Sequence, residues 1–125
     1  MDKVKIGIIL LIVVVVAGIV GIWLWQNYQP SKLDSFAQCI KDSGAKFYGA
    51  FWCSHCQNQK AEFGSAKRLL PYIECSTPDG KGQLKVCKDA NIEGYPTWEF
   101  VDSSRVGGEM SLQALSEKTN CQLPN

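Results

Sequence analysis

The chain has 125 residues, six cysteines and a formal net charge of +1. That length leaves room for one folded domain. No basic patch or charge run appears, and the part beyond Gln26 is evenly balanced in acids and bases, which excludes a polyanionic partner such as nucleic acid.

Residues Met1–Lys5 carry two lysines, and Ile6–Trp25 then runs without a charge. As a helix this stretch would span roughly 30 Å, about one bilayer core. Lysines ahead of it keep the N-terminus cytoplasmic by the positive-inside rule. Trp23, Trp25 and Tyr28 sit at the far end, where amphipathic rings favour an interface. A cleaved signal peptide is the rival, but its apolar core is shorter and ends in small residues. Both readings put the rest of the chain outside the cytoplasm. The expected organisation is a cytoplasmic end at 1–5, a transmembrane signal anchor at 6–25, a polar tether at 26–32 and one domain at 33–125.

Within the domain, Ser31 with Asp34 has the pattern of a helix start. Leu33, Phe36, Ala37 and Ile40 follow at helical spacing, and Ser43-Gly44 ends that helix. Lys46–Phe51 is short, apolar and aromatic, which predicts a buried central strand. A helix is expected from Cys53 to Leu70, broken near Gly64-Ser65 and stopped by Pro71. Tyr72–Glu74 reads as a second strand, Ser76–Gly82 as a loop and Leu84–Ala90 as a short helix. Thr97–Val101 alternates as a strand, with Trp98 and Phe100 turned to the core. Arg105–Met110 pairs back antiparallel, and Leu112–Lys118 closes the chain as a helix with Leu112 and Leu115 inward. Strands alternating with helices, then a hairpin and a last helix, predict an α/β sandwich with a mixed sheet.

All six cysteines lie beyond the apolar segment. An even number in a small exported domain reads as a disulfide framework. Cys75 and Cys87 flank the Pro-Asp-Gly loop, and a bridge between them would be structural. Cys39 and Cys121 are left to pair with each other; the rivals are a second redox thiol or a bridge between chains. Zinc is not expected, because Cys75 and Cys87 lack the knuckle spacing that would complete a site with Cys53 and Cys56.

Cys53-Ser54-His55-Cys56 carries the chemistry. Two thiols three positions apart at a helix start can close a disulfide with little backbone movement. The helix N-terminus favours an anion, so Cys53 is expected to be the attacking thiolate and Cys56 the resolving thiol. A protonated His55 between them would favour the thiolate further and make the disulfide a stronger oxidant. Trp52 beside the thiol is expected to shape a contact surface, and Tyr95 to pack or to touch substrate.

Trp52-Cys53-Ser54-His55-Cys56 after an apolar strand, followed by Gly94-Tyr95-Pro96-Thr97, resembles the thioredoxin superfamily. The blocks from Tyr48 to Gln57, Pro71 to Ser76 and Gly94 to Trp98 look like one branch of it. That branch is the thioredoxin-like domain associated with bacterial vitamin K epoxide reductase homologues. The resemblance covers roughly Phe36 to Thr119. It implies a thioredoxin-like sandwich and a cis-Pro96 facing the cysteines, with Tyr95, Pro96 and Thr97 pairing to an extended protein substrate. It also implies a membrane partner that passes electrons to quinone. No cofactor is expected in the chain itself. Many thioredoxins carry a buried aspartate six residues before the first active-site cysteine; here that position is Phe47, so the proton-relay carboxylate is missing there, and the sequence names no substitute beyond Glu62 as a candidate. Ser-His between the cysteines argues against a strongly reducing role.

The function expected is therefore a membrane-anchored thiol–disulfide oxidoreductase outside the cytoplasm, exchanging the Cys53–Cys56 disulfide with protein substrates in the oxidising direction. The alternatives are a tethered reductase or isomerase, and a binding module whose Cys53–Cys56 bridge only stiffens a client-holding surface.

Overall fold

The computed structural model describes residues 2–27 and 30–125. Met1, and Tyr28 and Gln29 of the expected tether, lie outside the described residues, and with Tyr28 its expected interfacial role. The chain divides into two units, Met1–Pro30 and Ser31–Asn125. The first is a single helix, α1 (Lys3–Asn27), with a mean hydropathy of 3.1 over its most apolar stretch and no buried residue. It is long and apolar enough to cross a membrane.

The second unit begins with α2 (Asp34–Asp42), which buries Phe36, Ala37 and Ile40. The expected Ser31 cap does not form. Ser31 Oγ instead accepts the Leu33 N–H in the preceding turn, and the Asp34 carboxylate is taken by Arg68 in a two-pronged pair at 2.9 and 2.6 Å. Gly44 then reverses the chain at φ +84°, a conformation that disfavours a side chain.

β1 (Lys46–Gly49) is an inner strand. It is shorter than expected: the chain leaves the sheet after Gly49, and Phe51 is half exposed rather than buried. α3 (Ser54–Glu62) follows, and a break at Gly64 (φ +54°) passes it into a 3-10 helix, Gly64–Leu69. The remaining elements are β2 (Tyr72–Glu74), α4 (Lys85–Asp89), β3 (Thr97–Glu99), β4 (Arg105–Gly107) and α5 (Leu112–Thr119). The four strands form one sheet in the order β2-β1-β3-β4. β1 pairs parallel to β2 and antiparallel to β3, and β3 pairs antiparallel to β4. The sheet is mixed and flanked by helices.

Alternation along β1 divides the interior in two. Phe47 stacks on Trp98 at 4.6 Å and meets Tyr72 edge-on at 5.2 Å. These rings join Phe36, Phe63, Leu115 and Cys56 in the larger cluster. Tyr48 belongs to a smaller one with Cys75, Cys87 and Ile92. The Cys75–Cys87 disulfide therefore lies in a core as well as across a loop. A second disulfide joins Cys39 on α2 to Cys121 after α5, with Cα atoms 5.8 Å apart.

Candidate active site

A strand that ends at Gly49 and a helix that begins at Ser54 bring Cys53 to the N-cap of α3. Its backbone is extended (φ −78°, ψ 115°), and its sulfur accepts the Cys56 N–H at 3.3 Å. The first turn of a helix has N–H groups without intrahelical partners, and one of them is aimed at this sulfur. Negative charge that develops there during exchange would meet a donor and the positive end of the helix. Cys53 and Cys56 are both free thiols. Cys53 keeps a small opening to solvent, and Cys56 is fully covered. Burial pushes the Cys56 thiol up to about 12, and the adjacent Cys53 adds to the rise.

The Tyr95–Pro96 bond is cis, and the Cys53 thiol donates to the Tyr95 carbonyl at 3.7 Å. Pro96 is fully buried. The Thr97 hydroxyl bonds the Gly94 carbonyl at 2.7 Å, which closes the turn before β3. The Tyr95 hydroxyl accepts from Gln83 at 2.9 Å, so this residue is anchored at its tip. Tyr95 also meets Trp52 edge-on at 5.9 Å.

Phe51 and Trp52, 49 % and 55 % exposed, stand beside Cys53 as an apolar rim. Trp52 is not loose: its indole N–H donates to Ser76 Oγ at 2.9 Å, and its ring packs on Gly80. Ser76 and Gly80 belong to the loop that the Cys75–Cys87 bridge closes. A structural disulfide thus supports one wall of the site. Ser54 is exposed at the start of α3.

His55 points outward, and its Nδ1 lies 2.6 Å from Glu109 Oε1. Asn58, one turn on, donates to the same oxygen at 3.3 Å. These contacts hold the Glu109 carboxyl below the usual range, His55 contributing more than Asn58. Beneath them Gln59, fully buried, fastens α3 to Met110 and Trp98. Sequence reasoning missed Gln59 and Glu109. The only signal was a glutamine at a position where α3 turns inward.

Glu62, the substitute considered for a buried carboxylate, is exposed and bonds Gln59 at 3.1 Å. Phe47 occupies the buried position itself as a core ring. Tyr72 and the Cys56 sulfur instead meet over Gly49, with the Lys60 ammonium on the Tyr72 ring and the Tyr72 hydroxyl on Glu74, a group the sequence does not announce. Among the described residues there is no cluster of three or more metal-ligating side chains.

The thioredoxin family model matches residues 29–120, most of the chain. A thiol-disulfide oxidoreductase of Arabidopsis thaliana, LTO1, is 48 % identical over 94 residues, which is 71 % of this chain and 24 % of that protein. A protein disulfide-isomerase of Arthroderma benhamiae is 34 % identical over 71 residues, 53 % of this chain and 13 % of the relative. A probable protein disulfide-isomerase ER-60 of Schistosoma mansoni is 32 % identical over 73 residues, 51 % and 14 % of the two chains. The chain thus spans about a quarter of the Arabidopsis protein and less of the two isomerases.

Proposed function

This chain belongs to the thioredoxin family, and we propose that it is a thiol–disulfide oxidoreductase acting on protein substrates outside the cytoplasm. Cys53 is the exchanging thiol and Cys56 the resolving one. The observation that carries this reading is the pairing of a slightly open Cys53 at a helix N-cap with a fully covered Cys56 one turn below. A substrate sulfur can reach the first and not the second.

Tyr95, Pro96 and Thr97 form the edge against which an extended client segment lies, and Trp52 and Phe51 cover its apolar side chains. Strand-like pairing of this kind takes affinity from the main chain and tolerates many sequences. Ser54 and His55 tune the pair from the outer side of α3. The 1–5 end stays cytoplasmic, α1 anchors the chain at 6–25, and a tether at 26–32 leads to the domain at 33–125. The two further disulfides support an oxidising compartment.

The direction of flow is oxidative, with the disulfide handed to folding proteins and restored by a quinone-linked membrane partner. Ser-His between the cysteines, the absence of a carboxylate at Phe47 and the resemblance to the vitamin K epoxide reductase branch support it. The test is the reduction potential of the Cys53–Cys56 pair in the detergent-solubilised full chain, equilibrated with glutathione. A value of about −120 to −180 mV, the range of strong oxidants and isomerases, is expected. A value near about −270 mV, that of thioredoxin, turns the reading to a tethered reductase. A bridge that glutathione never opens leaves only a non-catalytic binding module.

A further inference from the structure

Either direction of exchange passes through a moment when Cys56 carries negative charge. It attacks as a thiolate when the mixed disulfide is resolved, and it departs as a thiolate when a client opens the Cys53–Cys56 bond. Cys56 is fully buried, and an unpaired charge there is costly. Phe47 supplies no polar group on the strand beneath.

The environment of Cys56 supplies one from another side. Lys60 lies four residues on along α3 and therefore on the same helix face. Its side chain is half buried, and its ammonium sits 3.3 Å from the centre of the Tyr72 ring. The ring and Cys56 share one slot over Gly49: a Cβ built there would stand 2.7 Å from Tyr72 Cε2 and 3.0 Å from the Cys56 sulfur. Tyr72 is fixed in turn by its hydroxyl, which donates to Glu74 Oε2 at 2.9 Å. The other Glu74 oxygen accepts the Phe51 and Ser76 N–H groups at 3.2 and 2.9 Å. Among the described residues Lys60 forms no ion pair with a carboxylate. Its placement is set by the ring, and the negative groups it faces from there are Glu74 and Cys56.

We propose that Lys60, seated on Tyr72 and backed by Glu74, is the positioning residue that stabilises the Cys56 thiolate. The inference rests on the thiol–disulfide exchange proposed above. In resolution, the Cys56 thiol gives up its proton and its sulfur attacks Cys53 in the mixed disulfide. A Cys53–Cys56 bond forms, the Cys53–substrate bond breaks, and the departing substrate sulfur takes a proton. The pair loses two electrons and the substrate gains them. The reverse sequence oxidises a client, with the same Cys56 thiolate as leaving group. Titratable groups that face Cys56 and Lys60 are Cys53, Tyr72, Glu74 and Lys67. Burial and Cys53 hold the Cys56 thiol high, while the Ala50 backbone and, more weakly, Lys60 act to lower it. Burial favours neutral Lys60, Glu74 and Cys56 oppose that, and Lys67 adds to it.

The test uses the reduced, detergent-solubilised full chain mixed with oxidised glutathione, quenched in acid and read by mass spectrometry. Loss of an opposite charge near a thiolate raises its pKa by about one unit or more. Lys60→Gln is therefore expected to slow decay of the glutathione adduct by about tenfold near neutral pH. Adduct formation, measured in a Cys56→Ser background, is expected to be unchanged. Lys60→Arg should restore decay, and the difference between Lys60→Gln and the parent should shrink as pH rises. Lys60→Met, which keeps the apolar stem, gives the same comparison if the glutamine variant folds poorly. Decay at the parental rate, or slowing that is equal at every pH, overturns the role of Lys60. A parent chain that forms no adduct overturns the exchange reading itself.

Discussion

Gln59 and Met110 exchange two hydrogen bonds across the buried edge of the site: the Met110 N–H donates to Gln59 Oε1 at 2.7 Å, and Gln59 Nε2 donates to the Met110 carbonyl at 2.9 Å. The same Oε1 accepts the Trp98 indole N–H at 3.1 Å. One amide side chain thus ties α3 both to β3 and to the segment that carries Glu109.

Gln59→Leu is expected to destabilise the domain by about 3 kcal/mol. It leaves the Trp98 N–H and the Met110 peptide without partners, and each buried orphan costs about 1–3 kcal/mol. Urea unfolding measures this. An unchanged midpoint would mean that neither group depends on Gln59.

Gly49→Ala is expected to damage both fold and site. The new methyl would lie 2.7 Å from the Tyr72 ring and 3.0 Å from the Cys56 sulfur, so one must move. Overpacking of this kind costs about 1–3 kcal/mol, and the reduction potential should shift with the displaced sulfur. Gly94→Ala, where a Cβ meets nothing within 4 Å, is the control and should unfold as the parent does.

The two structural disulfides should differ in worth. Cys39–Cys121 closes a separation of 82 residues and Cys75–Cys87 one of 12. Chain entropy predicts about 4.5 kcal/mol for the first and about 3 kcal/mol for the second. Paired alanine substitutions followed by denaturant unfolding test the order. Only Cys75→Ala with Cys87→Ala should also alter exchange at Cys53, because that loop holds Trp52. Equal effects on exchange from both pairs would refute the support given to this wall.

Acid should loosen the sheet through Glu99. This carboxylate on β3 pairs with Lys46 of β1 at 2.9 Å and Arg105 at 2.6 Å. Both hold it below its ordinary value of 4.5, Lys46 most strongly. A carboxyl depressed by folding contributes stability that is full above its unfolded value and is lost as pH falls through the folded one. Stability of the parent should therefore decline below about pH 4.5, and Glu99→Gln should flatten that part of the decline. An unaltered acid limb in the variant would remove Glu99 from the account.

His55→Ala should lower the reduction potential. His55 stands between the two cysteines in the first turn of α3, and a tenfold change in the dithiol–disulfide equilibrium corresponds to about 30 mV. The ring is held by Glu109 at 2.6 Å, and an unchanged potential would remove His55 from the tuning of the pair.

Much of this protein is legible in the order of its residues. The uncharged run of α1, the alternation of Trp98 and Phe100, the break at Gly64 and the Cys53-Ser54-His55-Cys56 spacing are local patterns, and local sterics and solvation decide them. The mixed sheet follows from the order of helices and strands, and the resemblance to the thioredoxin superfamily agrees with the residues matched to thioredoxin. Other features depend on groups distant in sequence and brought together by packing. Asp34 is claimed by Arg68 rather than by a helix cap, and Phe51 turns outward because β1 ends at Gly49. Gln59 is buried because three polar partners converge on it from β3 and the loop before α5. Lys60 is held where it is because Tyr72, on β2, offers its ring. A sequence states which residues prefer to be covered; only the closed sandwich decides what covers them, since burial rewards whichever partner the fold delivers.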